Sequence, residues 1–185
     1  MNALIVDSVN LAMKELFYKF PGSRLFGLSE TVTRQDGDTE QQFPAIINPN
    51  GEGQPIIPDD AYPATVYHKQ NSILSSEKPN SGYGNGRALK SYIFSNTMIV
   101  HINGPKTNVT ADEMVSLIEA NLPDTIRQPN IRSVNLSTQS FIMSTLQVYS
   151  MEYKNVPYRL PLNYYMMAIG YKAEAIFDKN CIPKC

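Results

Sequence analysis

Apolar residues recur at helical spacing at the start of the chain. Ile5, Val9, Ala12, Met13, Leu16 and Phe20 fall on one stripe, with Lys14, Glu15 and Lys19 off it. The pattern predicts an amphipathic helix. Pro21 and Gly22 end it, because proline cannot continue the hydrogen-bond ladder and glycine accepts unusual backbone angles. Residues 24–33 (RLFGLSETVT) then read as a strand, with β-branched residues late in it.

The pattern changes between residues 35 and 86. Pro44, Pro49, Pro55, Pro58, Pro63 and Pro79 punctuate it, together with Gly37, Gly51, Gly53, Gly82, Gly84 and Gly86. Two short apolar runs, 43–47 and 55–57, flank NPNGEG. Asn50 and Gly51 there predict a hairpin turn, since both tolerate positive φ. A further short strand is expected over 64–68. The segment as a whole reads as long extended loops and hairpins set on a smaller core, a length that points to function or to packing against a partner.

Regular patterning returns at residues 88–103 (ALKSYIFSNTMIVHIN), one long strand or two joined near Asn96, stopped by Gly104 and Pro105. Thr110, Ala111, Asp112 and Glu113 form a capping box, in which hydroxyl and carboxylate each satisfy the other residue's amide. Met114, Ile118 and Leu122 follow at helical spacing, and Pro123 ends this second helix. A polar connection leads to residues 140–153, apolar on both faces and read as a strand. After the KNVPYRLP loop, Tyr165, Met167, Ile169, Tyr171, Ala173, Ala175 and Phe177 alternate with more polar positions, the mark of a half-buried strand. The expected fold is α+β. An antiparallel sheet is flanked by an N-terminal helix and a second amphipathic helix, with long extended loops or arms. Residues 1–185 make a single domain, with 35–86 as a loop-and-hairpin excursion within it.

The 42% apolar and 18% charged content is a globular balance. The net charge of -1 supplies no general basic field for nucleic acid or an anionic membrane. Charge is nonetheless uneven. Residues 30–60 hold Glu30, Asp36, Asp38, Glu40, Glu52, Asp59 and Asp60 against Arg34 alone. Residues 61–110 hold Lys69, Lys78, Arg87, Lys90 and Lys106 against Glu77 alone. These are solvated loops on the plain reading. On the sharper one, an acidic segment of one copy meets a basic segment of the next.

Asp7, Lys14 and Glu15 interrupt the N-terminal stretch where a signal peptide needs an apolar core, so no secretory signal is expected. No run reaches transmembrane length. Asn108 and Asn135 sit in glycosylation triplets, which are common by chance. Cys181 and Cys185 lack two further zinc ligands nearby and read as reduced thiols in a terminal tail.

Candidate chemistry is thin. Residues 82–87 (GYGNGR) lack the GKS or GKT and the preceding strand of a phosphate loop, so they read as a loop tip. His101 lies in a strand without a local nucleophile pattern, and His68 reads the same way. Asp59 and Asp60 are adjacent on an extended chain, point to opposite sides, and suit a turn better than a chelate. Asp112 and Glu113 belong to a helix start. Tyr149, Tyr153, Tyr158, Tyr164, Tyr165 and Tyr171 divide between core and interface. No catalytic residue, cofactor or metal is expected.

The 98–123 strand-to-helix unit (MIVHINGPKTNVTADEMVSLIEANLP) and the closing 148–177 segment (VYSMEYKNVPYRLPLNYYMMAIGYKAEAIF) carry a resemblance. With the opening helix they cover about two fifths of the chain. Together they resemble the tail-terminator and tail-completion proteins of tailed bacteriophages, and the closing segment resembles the tail ring proteins of crAss-like phages. The 35–86 segment departs from that compact pattern and implies arms that wrap a neighbour. The resemblance implies no catalytic residues. It implies a sixfold or twelvefold homo-oligomeric ring in the virion, assembled in the host cytoplasm. Such a ring touches neighbouring tail or portal proteins, admits DNA only as passing cargo, and has no membrane. Asp36, Asp38, Glu40, Lys69, Arg87, Lys90, Tyr153, Tyr158 and Arg159 are the expected subunit-interface residues. Acids lining a channel would let DNA slide without sticking. Two rivals stand beside the ring. One is a small enzyme or ligand-binding domain built around His68, Asp59 and Asp60, and the other is a monomeric interaction module using the tyrosine-rich hairpin.

Overall fold

Helix α1, Asn2–Phe17, buries Ile5, Val6, Val9, Met13, Leu16 and Phe17 on one side, as the apolar stripe requires. Burying one such side chain stabilises by about 1.5–3 kcal/mol, so this stripe outweighs the weak helix propensity of its β-branched members. The computed structural model describes residues 2–78, 89–128, 131–156, 160 and 163–178. After α1 come β1 (Arg24–Leu28), β2 (Glu30–Asp36), β3 (Thr39–Ile47), β4 (Gly53–Pro55), β5 (Ala64–Lys78) and β6 (Leu89–Asn103). The helices α2 (Gly104–Thr107) and α3 (Ala111–Asn121) follow, then β7 (Thr125–Gln128), β8 (Ile131–Ile142), α4 (Thr145–Glu152) and β9 (Tyr164–Asp178).

The main sheet has six strands in the order β1-β5-β6-β9-β8-β7. Its β1–β5 pair is parallel and its other pairs are antiparallel. A second, three-stranded antiparallel sheet has the order β2-β3-β4. Alternation along the central strands divides the core in two. Val66, Met98, Val100, Ile102, Met167, Ile169 and Tyr171 pack under α1 and α3. Tyr67, Ile99, Met166 and Ala168 face the other way, onto Phe43, Ala45 and Ile56 and onto Val148 and Tyr153 at α4. The fold is α+β, with helices over one face of the main sheet and the small sheet plus α4 over the other.

The capping box is present as read. Thr110 Oγ1 accepts from the Glu113 amide, and Glu113 Oε2 accepts from the Thr110 amide at 2.8 Å. Of the expected 88–103 stretch, Leu89–Asn103 is one uninterrupted strand, β6. Gly104 then turns the chain into α2. A Cβ there would lie 2.8 Å from Tyr165 Cε2 and 2.9 Å from the Asn163 carbonyl, so only glycine fits.

Several expectations need correction. Residues 24–33 form two strands rather than one. The chain crosses from the main sheet to the small sheet at Ser29, whose amide and hydroxyl both donate to the His68 carbonyl. Strand β5 runs far beyond residue 68. It pairs with β6 along its whole length, while residues 71–75 are exposed and carry no apolar alternation to reveal it. The β3–β4 hairpin is where Asn50 and Gly51 placed it, but only Gly51 has a positive φ, at 81°. Its amide donates to Asn48, which leaves Asn50 in an ordinary conformation. The polar connection after Pro123 is the β7–β8 hairpin. The strand expected over 140–153 stops at Ile142, and α4 follows, capped by Ser144 Oγ accepting from the Gln147 amide. Residues 82–87, Cys181 and Cys185 lie outside the described residues.

Candidate assembly surface

The β2–β3 hairpin rises from a buried base. Its pairing runs from Glu30 opposite Ala45 to Asp36 opposite Thr39. Phe43, Pro44 and Ala45 are buried in the base, and beyond them the side chains turn out to solvent. The base is tied down by a bridge in which Gln42 and Lys154 exchange backbone hydrogen bonds of 3.0 and 2.9 Å. The Asn155 amide side chain adds a bond to the Glu40 carbonyl. Asn155 has φ 54°, a conformation asparagine tolerates better than most residues. An isolated two-stranded ribbon is marginal in water, so these ties hold the arm upright.

Asp36, Asp38 and Glu40 are gathered at the exposed tip. Asp36 accepts from the Gln41 amide and Glu40 from the Gln42 amide, both neutral donors. By the pairing register Asp36 and Glu40 lie on opposite faces of the ribbon with Asp38 in the turn between them, so the tip presents negative charge on both sides, where a cationic surface would be attracted.

The expected basic counterpart divides. Lys69 is committed within its own chain. Its Nζ lies 3.0 Å from Glu152 Oε1, and Glu152 Oε2 accepts from the Tyr67 hydroxyl. Glu152 is almost wholly buried, and removing its cation would leave a buried charge uncompensated. Lys69 is therefore a structural residue, not a free interface cation. Lys90 lies in β6 with its side chain outside the described ones, as are Arg87, Tyr158 and Arg159. Tyr153, expected at a subunit surface, is buried, and its hydroxyl donates to the Ile56 carbonyl at 2.7 Å. Stacking with Tyr149 at 4.8 Å adds to its packing role.

The residues an enzyme would need are apart in role and place. Asp59 Oδ1 accepts from the Ala61 amide, and the Asp60 carbonyl accepts from the Asn103 side chain, so both shape the turn before β5. His68 is fully buried under α1. Asn10 Nδ2 donates to the Phe26 carbonyl, which leaves Asn10 Oδ1 to accept from His68 Nε2 at 2.9 Å. His68 Nδ1 then accepts from the Tyr171 hydroxyl at 3.0 Å. Burial pushes its pKa down to about 3. Next to it, Asn2 and Asn96 exchange side-chain amide bonds of 3.0 Å, and Asn2 also donates to Gln70.

His101 lies on the opposite face, against the rings of Tyr67, Tyr164 and Tyr153. Neither of its nitrogens has a hydrogen-bond partner among the described residues. Burial, and secondarily the Arg24 guanidinium, hold its pKa down to about 3. Burial likewise raises Tyr67, Tyr153 and Tyr171 above the ordinary phenol range. No group of three His, Cys, Asp or Glu placed to hold a metal occurs among the described residues. The hairpin's bracing by Lys154 and Asn155 escaped the sequence reading, although an asparagine before a proline-containing loop is a turn signal. Compared with protein-family models and with curated proteins, the chain matches none.

Proposed function

We propose that this chain is a structural subunit that assembles with copies of itself into a closed ring, joining components of a phage tail or head–tail connector around the DNA channel. The acidic β2–β3 arm carries the assembly part of this reading, because it is held upright at its base and leaves its charged tip unburied. Heterologous contacts close into a ring when each copy presents an arm and a receptor for it. The resemblance of the 98–123 and 148–177 segments to tail-terminator and tail ring proteins supplies the setting. A small-enzyme reading is weaker, since His68 is bonded into the helix–sheet interface while Asp59 and Asp60 organise a turn.

Electron microscopy of the purified chain tests the proposal. Closed rings with a central opening are expected. A compact monomer that binds a small molecule saturably would overturn it. If rings form and the tip acids map to the outer rim, the arm serves subunit contact and does not line the channel.

A further inference from the structure

The outward side of α1 is not polar. Leu11 is 69% exposed with Leu4 on the same line at 53%, and Tyr18, one residue past the helix with its amide still donating to the Lys14 carbonyl, continues the line at 83%. These positions are seven apart, so they form a stripe along the side opposite the buried one. Asp7 and Lys14 are both exposed and flank this stripe on one side, seven residues apart and opposite in charge. Neither makes an ion pair within the chain among the described residues. Ser8 and Glu15 flank the other side. At the C-terminal end of the stripe, beside Tyr18, an open depression of about 550 Å³ is lined by Lys14, Phe17, Phe20, Pro21 and Leu25.

We infer that two copies of this chain pair through these faces of α1 in antiparallel fashion. Leu11 lies on the two-fold axis, Leu4 of each copy meets Tyr18 of the other, and Asp7 of each meets Lys14 of the other. Charge selects the direction. Antiparallel helices bring like flanks together with the order reversed, so both Asp7–Lys14 pairs form at once and Ser8 meets Glu15. A parallel pair would bring unlike flanks together and set Asp7 beside Ser8, losing both matches. Leu4 of the second copy packs on Tyr18 at the rim of the depression, which gives the pair an apolar contact at each end. The contact is isologous, so it closes on two copies and is distinct from the head-to-tail contact of a ring. Within a ring assembly it joins subunits two by two, back to back.

Charge reversal tests this in the full chain. Sedimentation equilibrium is run on the unaltered protein, Asp7→Lys, Lys14→Asp and the double variant, with circular dichroism to confirm folding. Each single change should weaken pairing on the order of tenfold, since it sets like charges together twice per pair. The double change should restore it to within about twofold. Leu11→Asp, placed on the axis, should abolish it. A protein that is monomeric at all concentrations, or a double variant no better than the singles, overturns the inference. Loss of ring closure with pairing intact would count against the ring reading alone.

Discussion

Two buried histidines tie the stability of this molecule to pH. His68 and His101 are both held neutral, at about 3 against an ordinary value near 6.5. Above pH 6.5 neither state of the chain carries their protons, and they contribute no pH dependence. Below it the unfolded chain gains protons that the folded one refuses, so stability falls as pH drops from 6.5 toward 3. Each histidine steepens that fall by at most about 1.4 kcal/mol per pH unit. Urea titrations at a series of pH values should therefore show a shallower acid limb in His68→Gln and His101→Phe than in the unaltered protein. An unchanged slope would mean that the histidines protonate in place. The sequence places both in strands without a local nucleophile pattern. Alternation identified the strands, but not that His68 would find Asn10 from one element and Tyr171 from another. Such partners come from positions 58 and 103 residues away, and no local pattern encodes them.

At the scale of elements, legibility followed how local the determinants are. Helix α3 was readable because its cap is made within four residues. Thr110→Ala should cost about 1 kcal/mol in a denaturation experiment, and Thr110→Ser much less, because serine keeps the accepting oxygen. If alanine and serine behave alike, the cap is not what holds this end. Helix α4 was missed although Ser144-Thr145-Leu146-Gln147 has the same capping spacing, because its short apolar run also fits a strand. Val148 and Glu152, four apart and buried, are what make it helical. Strand β5 was seen only in its apolar first part. Its polar remainder is a strand because β6 pairs with it, a tertiary cause that periodicity cannot show. The candidate site divided in the same way. The acids at 36, 38 and 40 were legible as a charge run, whereas the commitment of Lys69 to Glu152 depends on a helix that folds in from 83 residues away.

At the scale of the whole molecule, the main sheet separates two outward surfaces. One carries the α1 stripe of Leu4, Leu11 and Tyr18, and the other carries the acidic arm. A subunit with distinct contact surfaces on opposite sides can extend in two directions at once, as a structural assembly needs. A contact made through the charged tip would be sensitive to salt, with long-range attraction screened beyond about 8 Å at physiological ionic strength. The most direct test is the native mass of the chain in low salt over a range of concentrations, compared with that of Asp36→Lys/Asp38→Lys. The account predicts that the unaltered chain reaches one defined multiple of 20.7 kDa and that reversing the tip returns it toward single or paired subunits. A mass of 20.7 kDa at every concentration, or an assembly indifferent to the reversal, would contradict it.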